Sequence, residues 1–138
     1  MIAGICVLSG LALILLVICF MTFTSVGQRW KASMGMNAPA AVYWQLGDEA
    51  LAAGDTDGAA GYYESAFSRD SSNYDGAIKL ADTLSSVGNT ERAERAYRKA
   101  ISLDPTRTEA YDSVIKLMIA RGADDAEMVD MLKLAYQN

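Results

Sequence analysis

The first part of the chain is apolar and uncharged. Residues 1–28 carry no Asp, Glu, Lys or Arg, and residues 2–23 form a nearly unbroken run of apolar side chains. At about 1.5 Å of rise per helical residue, that run would reach roughly 33 Å, which is enough to cross the hydrocarbon core of a bilayer. The pattern predicts a transmembrane anchor over residues 1–27. A cleaved signal peptide is disfavoured, because no basic residue precedes the run and no small-residue cleavage site closely follows it.

Beyond residue 40 the apolar positions follow a different rhythm. Apolar and small side chains recur at intervals of three and four residues on both sides of Gly54, as they do on one face of a helix. A glycine at this place is typical of the left-handed residue that ends a helix. The pattern predicts two amphipathic helices joined by a glycine turn. The positions that define them are Tyr43, Leu46, Gly47 and Ala50, then Ala59, Tyr63, Ala66 and Phe67.

The same helix pair returns at a fixed interval, which separates Gly54 from Gly88 and Gly88 from Gly122. We call this interval the repeat offset. A repeat of about 34 residues predicts stacked units, here at positions 40–73, 74–107 and 108–138. Many positions match at this one offset in a short chain, so chance periodicity is a poor explanation. The matching sets are Gly54, Gly88 and Gly122; Tyr63 and Tyr97; Ala59 and Ala93; Ala66 and Ala100; and Asp70 and Asp104.

The third unit departs from the other two. Glu127 stands where the earlier units have alanine. A shift of one residue aligns Met128, Leu132 and Ala135 better with the earlier second helices. We therefore expect a deviant final helix.

These positions resemble the tetratricopeptide repeat (TPR), whose pattern is W-x2-L-G-x2-Y, then A-x3-F, then A and P. The resemblance implies an all-α fold, in which the N-terminal transmembrane helix is followed by an α-solenoid of about three TPR helix-turn-helix units. Small residues would let paired helices approach, with Gly47 facing Ala59 and Ala81 facing Ala93. The matching letters are Tyr43, Leu46, Gly47, Ala50, Ala59, Tyr63 and Ala66 in the first unit, and Ala77, Leu80, Ala81, Leu84, Ala93, Tyr97, Ala100 and Pro105 in the second.

The resemblance also implies a concave groove, lined by the first helix of each unit, which receives a peptide or a partner's helix. A mixture of apolar and acidic side chains would suit a segment with apolar anchors and some positive charge. The alternative is that these positions form a solvated face without a partner. By position in the repeat, the groove residues are Trp44, Gln45, Asp48, Leu51, Ile78, Lys79, Asp82, Asp112, Lys116 and Ile119.

One function of the family is not expected here. Some members hold the acidic tails of chaperones in a clamp of Lys, Asn and Arg side chains. The corresponding positions of this chain are Trp44, Asp48, Lys79, Glu109 and Ser113, two of which are acidic.

The last helix is apolar around most of its circumference. A terminal helix of a solenoid should instead present one polar face to water. The sequence therefore predicts a docking end, formed by Met128, Met131, Leu132 and Tyr136, for a second copy or a partner subunit. The alternative is a methionine-rich but adequately packed cap.

The residue types and charge do not suit catalysis or nucleic acid. The chain has no histidine, and its two cysteines, Cys6 and Cys19, lie in the apolar run. We expect no enzyme activity, no cofactor and no metal site. All 12 Lys and Arg and all 17 Asp and Glu follow residue 28, for a net charge of -5. Such an acidic domain repels phosphates, so no nucleic-acid partner is expected.

The residues beside the apolar run set the membrane context. Arg29 and Lys31 follow the run, so the positive-inside rule predicts that the repeats lie in the cytoplasm. Trp30 between them suits the membrane interface, and residues 28–39 are predicted to be a short juxtamembrane linker before a TPR domain at residues 40–138. Small residues that would let a partner span pack against the anchor are Ala3, Cys6 and Gly10.

The sequence thus predicts a single-pass membrane protein, in a layout similar to that of bacterial inner-membrane repeat proteins. Its expected function is a membrane-anchored interaction module that acts as a scaffold, assembly factor or accessory subunit of a membrane complex. One alternative is a permanent structural subunit of a larger membrane assembly. A further alternative is a receptor for targeting peptides, although such receptors have a longer charged linker between span and repeats.

Overall fold

The structure, a computed structural model, describes the backbone of residues 2–137 and the side chains of residues 12–137. Within these residues the chain forms eight helices and no strand. They are α1 (Ile2–Phe23), α2 (Ser25–Ser33), α3 (Ala40–Ala52), α4 (Thr56–Arg69), α5 (Tyr74–Ser86), α6 (Thr90–Leu103), α7 (Glu109–Arg121) and α8 (Asp125–Gln137).

The glycine turns predicted from the repeat offset are confirmed. Gly54, Gly88 and Gly122 have φ angles of 82°, 77° and 71°, a region that residues with a side chain rarely adopt. Each glycine joins the two helices of one pair: α3 to α4, α5 to α6, and α7 to α8. Two helices are capped by a side chain at their N-termini. Asp55 and Asn73 accept hydrogen bonds from backbone N–H groups in the first turns of α4 and α5.

One apolar core runs through the three repeats. The largest fully buried side chains in the described part of the chain are Tyr63, Tyr111, Met118 and Val114. Burying an aliphatic side chain such as Val114 contributes roughly 1.5–3 kcal/mol to folding. The alanines of this core that have no accessible surface are Ala59, Ala77, Ala81, Ala93, Ala100 and Ala110.

The packing role predicted for Gly47 is different from the one observed. A Cβ atom at Gly47 would lie 2.4 Å from Cε1 of Tyr63, so the glycine accommodates the tyrosine ring of α4. Ala59, the expected partner, is buried but is not among the nearest atoms to that position. The small residue in the first helix therefore makes room for the large residue in the second.

The register of the last helix corrects the predicted one-residue shift. Met131 is 5 % exposed and lies in the core, whereas Leu132 is 52 % exposed. Met128, Met131 and Ala135 share one helix face at intervals of three and four residues, and all three pack against the core. Met131 follows Tyr97 by one repeat offset, so α8 keeps the register of the earlier repeats.

A sharp corner separates α1 from α2. From Ala12 onward, no single helix is both long and apolar enough to cross a bilayer. Ala12–Phe23 and Ser25–Ser33 meet the length and composition criteria only as a pair, and the pair is bent by 84°. Part of the predicted anchor, including the side chains of Ala3, Cys6 and Gly10, lies outside the residues whose side chains are described.

Residues 28–33, predicted as linker, are helical instead and cover the open end of the first repeat. The helix starts at Thr24, whose hydroxyl accepts a hydrogen bond of 3.0 Å from the Gly27 N–H. Arg29 then forms an ion pair with Glu49 of α3, with Nη1 2.7 Å from Oε1. A second buried cluster fills the space between α2 and the repeat, comprising Ala32, Ala38, Tyr43 and Ala66.

Candidate partner-binding groove

The first helices of the three repeats, α3, α5 and α7, carry the predicted groove residues. Trp44 is half-buried, and Ile78 is buried in the core at 7 % exposure, so Ile78 does not line an open groove. The other predicted residues are exposed: Gln45, Asp48, Leu51, Lys79, Asp82, Asp112, Lys116 and Ile119.

Asp48 connects three helices at the first repeat. Its Oδ1 atom accepts a hydrogen bond of 2.6 Å from the Tyr63 hydroxyl of α4 and one of 2.7 Å from Lys79 Nζ of α5. Partial burial alone would raise the pKa of Asp48, but the bonds from Lys79 and Tyr63 outweigh it and the pKa is lowered. The carboxylate is therefore ionised at neutral pH and fixed in position.

The same contact fixes the phenol of Tyr63 as a hydrogen-bond donor. Burial of the ring, and then the bond to the Asp48 carboxylate, raise the pKa of Tyr63 well above its usual value of 10. The hydroxyl therefore keeps its proton throughout the physiological pH range. Tyr63 thus both fills the core with its ring and orients a charged group on the surface.

The second repeat reproduces this contact one repeat offset later. The Tyr97 hydroxyl donates a hydrogen bond to Oδ1 of Asp82. Burial, followed by the bond to Asp82, raises the pKa of Tyr97 in the same direction as that of Tyr63. We call these two contacts, Asp48–Tyr63 and Asp82–Tyr97, the acid–phenol pairs.

The two acid–phenol pairs differ in their neighbouring cation. Lys79 forms an ion pair with Asp48, but the position equivalent to Lys79 in the next repeat is Ser113. Within the described part of the chain, Asp82 makes no ion pair with Lys or Arg. The groove therefore holds one carboxylate, Asp48, that is paired with a cation of the protein, and one, Asp82, that has no such pair in the described residues.

Trp44 forms a wall between the first two repeats. Its ring lies 5.7 Å from that of Tyr63, centroid to centroid, and a Cβ atom at Gly76 would lie 2.6 Å from its Cη2 and Cζ2 atoms. One repeat later, Ile78 stands at the position of Trp44 and is smaller, whereas Ala110 stands at the position of Gly76 and is larger. Both Ile78 and Ala110 are buried. This exchange of sizes explains why Ile78 belongs to the core whereas Trp44 keeps an edge in the groove.

The comparison with known proteins concerns the helical repeats that carry these residues. The sequence pattern of the tetratricopeptide repeat family matches residues 50–118, half of the chain. This chain belongs to the tetratricopeptide repeat family.

Individual relatives share parts of this TPR chain. A tetratricopeptide repeat and J domain-containing co-chaperone, DNJ1 of Fusarium oxysporum f. sp. lycopersici, is 34 % identical over 76 residues, which are 55 % of this chain and 15 % of that protein. The solved structure of MamA is similar at 27 % identity and a TM-score of 0.63, over 72 % of this chain and 57 % of that one. YrrB, described as a TPR protein with an unusual peptide-binding site, has the same fold at 15 % identity and a TM-score of 0.64, over 79 % of this chain and 56 % of its own. The chain thus spans less than two thirds of each.

The end of the TPR domain differs from the predicted docking end. Met131 is buried in the core, and the half-buried Met128 packs against that core. Leu132 and Tyr136 are exposed at 52 % and 93 %, and together with Val129 they line a shallow recess of about 440 Å³. An apolar patch of Val129, Leu132 and Tyr136 therefore replaces the set inferred from sequence.

The deviant residue of the last TPR unit has its own partners. Glu127 accepts hydrogen bonds from Arg98 of α6 and Arg121 of α7, at 3.0 and 2.7 Å. Glu94 pairs with the same two arginines and is only 13 % exposed. A network of four charges therefore ties α8 to the preceding repeat at the position where the family has alanine.

Sequence analysis missed the hydrogen-bonding role of the two tyrosines and the network around Glu127. The first had a signal, because Asp48 and Asp82 are separated by the same repeat offset as Tyr63 and Tyr97. The second had none, since Arg98 lies 29 positions before Glu127 and meets it only through the stacking of the repeats.

Proposed function

We propose that this chain is a membrane-anchored TPR interaction module that binds a segment of a partner protein across α3, α5 and α7. It would act as a scaffold, assembly factor or accessory subunit of a membrane complex rather than as an enzyme. The observation that carries the proposal is the pair of oriented carboxylates, Asp48 and Asp82, held at equivalent places in the groove by buried tyrosines. Both carboxylates are held in position by hydrogen bonds from neighbouring side chains, an arrangement that suits recognition of a partner.

The difference between the two carboxylates indicates what the groove binds. Asp48 is already neutralised by Lys79, whereas Asp82 is free to accept a cation. A Lys or Arg side chain of the partner would pair with Asp82 beside the Tyr97 hydroxyl. Exposed ion pairs contribute only about 0.2–1 kcal/mol, so Asp82 would select the partner more than it would set the affinity.

Apolar side chains flank the acid–phenol pairs and would supply more of the binding energy. Leu51 is 45 % exposed at the first repeat, and Ile119 is 63 % exposed at the third. Covering apolar surface is favourable by roughly 25 cal/mol per Å². The expected partner segment therefore has apolar residues near both ends and a basic residue between them. YrrB, whose structure is described as having a peptide-binding site, supports this class of function for the fold.

The membrane anchor belongs to this proposal. α1 spans Ile2–Phe23 and its sequence carries no charge, while Arg29 and Lys31 follow directly. These features support a single-pass membrane protein with its repeats in the cytoplasm, a layout similar to that of bacterial inner-membrane repeat proteins. Alkaline phosphatase fused after residue 138 should be inactive, since the enzyme works only after export. High phosphatase activity would contradict the proposed orientation.

Site-specific photocrosslinking in intact membranes tests the groove. A photoreactive residue at Leu51 or at Ile119 should capture the same partner protein, because both side chains are exposed on first helices. The matched control is Lys99, which is exposed on the second helix α6. Equal capture from Lys99, or different proteins from Leu51 and Ile119, would contradict binding in the groove.

A permanent structural subunit is the second candidate, and the exposed patch of Val129, Leu132 and Tyr136 favours it. A patch of this kind is expected on a surface that is covered in an assembly. Mild detergent extraction followed by size-exclusion chromatography separates the two candidates. An interaction module elutes partly alone, whereas a permanent subunit elutes only with its assembly.

A further inference from the structure

Helix α2 has an outward face that is apolar. Val26, Trp30 and Met34 follow one another at intervals of four residues, which places them on one side of the helix. They are 61 %, 56 % and 51 % exposed. Phe23, at the end of α1, is exposed at 85 % beside the same corner. Four large apolar side chains are thus exposed, one at the last residue of the apolar run and three after it.

The opposite face of α2 is held against the protein. Ala32 is buried on this face and belongs to the cluster shared with the first repeat, whereas Gly27 is buried against α1. The ion pair between Arg29 and Glu49 joins α2 to α3. The outward face of α2 is therefore fixed relative to the TPR domain.

The corner between α1 and α2 is tightly packed. A Cβ atom at Gly27 would lie 2.3 Å from the carbonyl oxygen of Phe20 and 2.7 Å from Cα of Met21. The Thr24 hydroxyl donates to the Phe20 carbonyl at 2.6 Å, and the Gln28 amide donates to the Thr22 carbonyl at 2.6 Å. These contacts hold the bend of 84°.

The charge around this corner is suited to lipid headgroups. The chain is acidic overall, yet its first acidic residue is Asp48. The charged residues of α2 are both basic: Arg29 is paired with Glu49, and Lys31 has no ion pair in the described part of the chain. A helix with exposed Trp and aliphatic residues on one face and basic residues at its flanks is typical of one that lies in the membrane interface.

We infer that α2 lies flat on the membrane surface, with Phe23, Val26, Trp30 and Met34 inserted at the boundary between headgroups and acyl chains. The inference rests on the proposed membrane anchor, because a right-angled corner puts α2 in the plane of the bilayer only when α1 crosses it. The occupant of the exposed face is then the same bilayer that holds α1. Since α2 covers the open end of the first repeat, that repeat is the one held next to the membrane.

Depth-dependent quenching of tryptophan fluorescence tests the inference on the full chain. The chain has two tryptophans, so Trp44→Phe leaves Trp30 as the only one, and Trp30→Phe leaves Trp44 as the control. Each variant is reconstituted in vesicles of phosphatidylcholine and phosphatidylglycerol that carry a spin label either high or deep on the acyl chain. Trp30 should be quenched more by the shallow label, at a depth of roughly 5–10 Å below the headgroup boundary. Trp44 should be quenched by neither label.

Flotation of the same vesicles at alkaline pH separates the two levels of the proposal. If the chain floats but Trp30 is quenched no more than Trp44, the anchor stands and the docking of α2 is wrong. If Trp30 is quenched more by the deep label, α2 continues into the bilayer and the inference is also wrong. If the chain does not float, the anchor fails, and the inference fails with it.

A matched pair of glycine variants tests the corner. Gly27→Ala introduces a methyl group where the Phe20 carbonyl lies, whereas Gly61→Ala introduces one into open space on α4. We expect Gly27→Ala to float normally but to lose the shallow quenching of Trp30, and Gly61→Ala to keep both properties. Val26→Asp, at an exposed position that does not perturb the core, should also lose the quenching, whereas Ala52→Asp on the exposed end of α3 should retain it. Unchanged quenching in both Gly27→Ala and Val26→Asp would overturn the inference.

Discussion

The hydroxyl of Tyr63 lies 2.6 Å from Oδ1 of Asp48, and at the equivalent positions of the next repeat Tyr97 donates a hydrogen bond to Asp82 in the same way. The repeat thus copies a polar contact as well as a packing pattern. In both repeats a buried ring carries its hydroxyl to the surface of the groove, where it orients a carboxylate. The third repeat has Lys116 and Met131 at these two positions, so the contact ends with the second repeat.

Removing the hydroxyl group of Tyr63 should lower the stability of the fold without changing the shape of the core. Tyr63→Phe keeps the ring and deletes the donor to Asp48, so we expect the free energy of unfolding to fall by about 0.5–1.5 kcal/mol. Tyr62→Phe, on the neighbouring half-buried tyrosine, is the matched control and should change it by less than about 0.5 kcal/mol. Urea unfolding of both variants measures the difference. Equal effects would mean that the bond to Asp48 contributes nothing.

The Asp48–Lys79 pair should make stability depend on pH on the acid side. The folded-state pKa of Asp48 is lowered, so its contribution is present above the unfolded pKa, near 4, and is lost as pH falls through the lower folded value. Lys79→Met removes a donor and a charge, and should make the unfolding midpoint fall less steeply between neutral and acid pH. Lys99→Met, on an exposed position of α6, should leave the slope unchanged. A slope in Lys79→Met as steep as in the original chain would contradict the assignment.

Gly76 and Trp44 should be coupled in a double-mutant cycle. Alanine at position 76 gains about 1 kcal/mol of helix propensity over glycine, but its Cβ atom would lie 2.6 Å from the Trp44 ring, and such overpacking costs about 1–3 kcal/mol. Gly76→Ala alone should therefore be neutral or destabilising. In a Trp44→Leu background the same change should stabilise the chain, as Gly61→Ala should in the original chain. Independent effects of the two mutations would show that the Trp44 ring does not fill the space at Gly76.

Restoring the alanine of the family at position 127 should loosen the last helix. Glu127→Ala removes the partner of Arg98 and Arg121, so amide hydrogen exchange across α8 should become faster while that of α5 stays unchanged. Asp130→Ala, which breaks an exposed pair with Lys133 on the same helix, is the control and should have little effect. Slower exchange in Glu127→Ala would mean that the network destabilises α8.

The helical repeat could be predicted from sequence because its signals are local or periodic. Gly54, Gly88 and Gly122 mark turns that require a positive φ, and Ala59, Ala66, Ala93 and Ala100 mark contacts that only small side chains allow. Such positions recur at one offset, so the bounds of the helices follow from them.

The remaining features depend on partners that are distant in sequence. Trp44 packs against Gly76, and one repeat later the equivalent residues are Ile78 and Ala110. Ile78 is smaller than Trp44 and Ala110 is larger than Gly76, and Ile78 is buried as a result. Leu132 is exposed and Met131 is buried because α8 keeps the register of α6. The residue types of α8 had indicated an alignment shifted by one residue. The helix at residues 28–33 is stabilised by the first repeat, through Arg29 and Glu49, and nothing in its own spacing indicated that contact.

The groove is expected to bind its partner through the carboxylate of Asp82, which has no ion pair in the described part of the chain. The direct test is the yield of the photocrosslink from Leu51 in intact membranes, measured for Asp82→Lys and for the control Glu91→Lys on the exposed first turn of α6. Both variants change the net charge equally, but only Asp82 lies in the groove. We predict that Asp82→Lys lowers the yield by roughly fivefold, which corresponds to about 1 kcal/mol, and that Glu91→Lys leaves it unchanged. An unchanged yield in Asp82→Lys, or an equal loss in both variants, would contradict the claim.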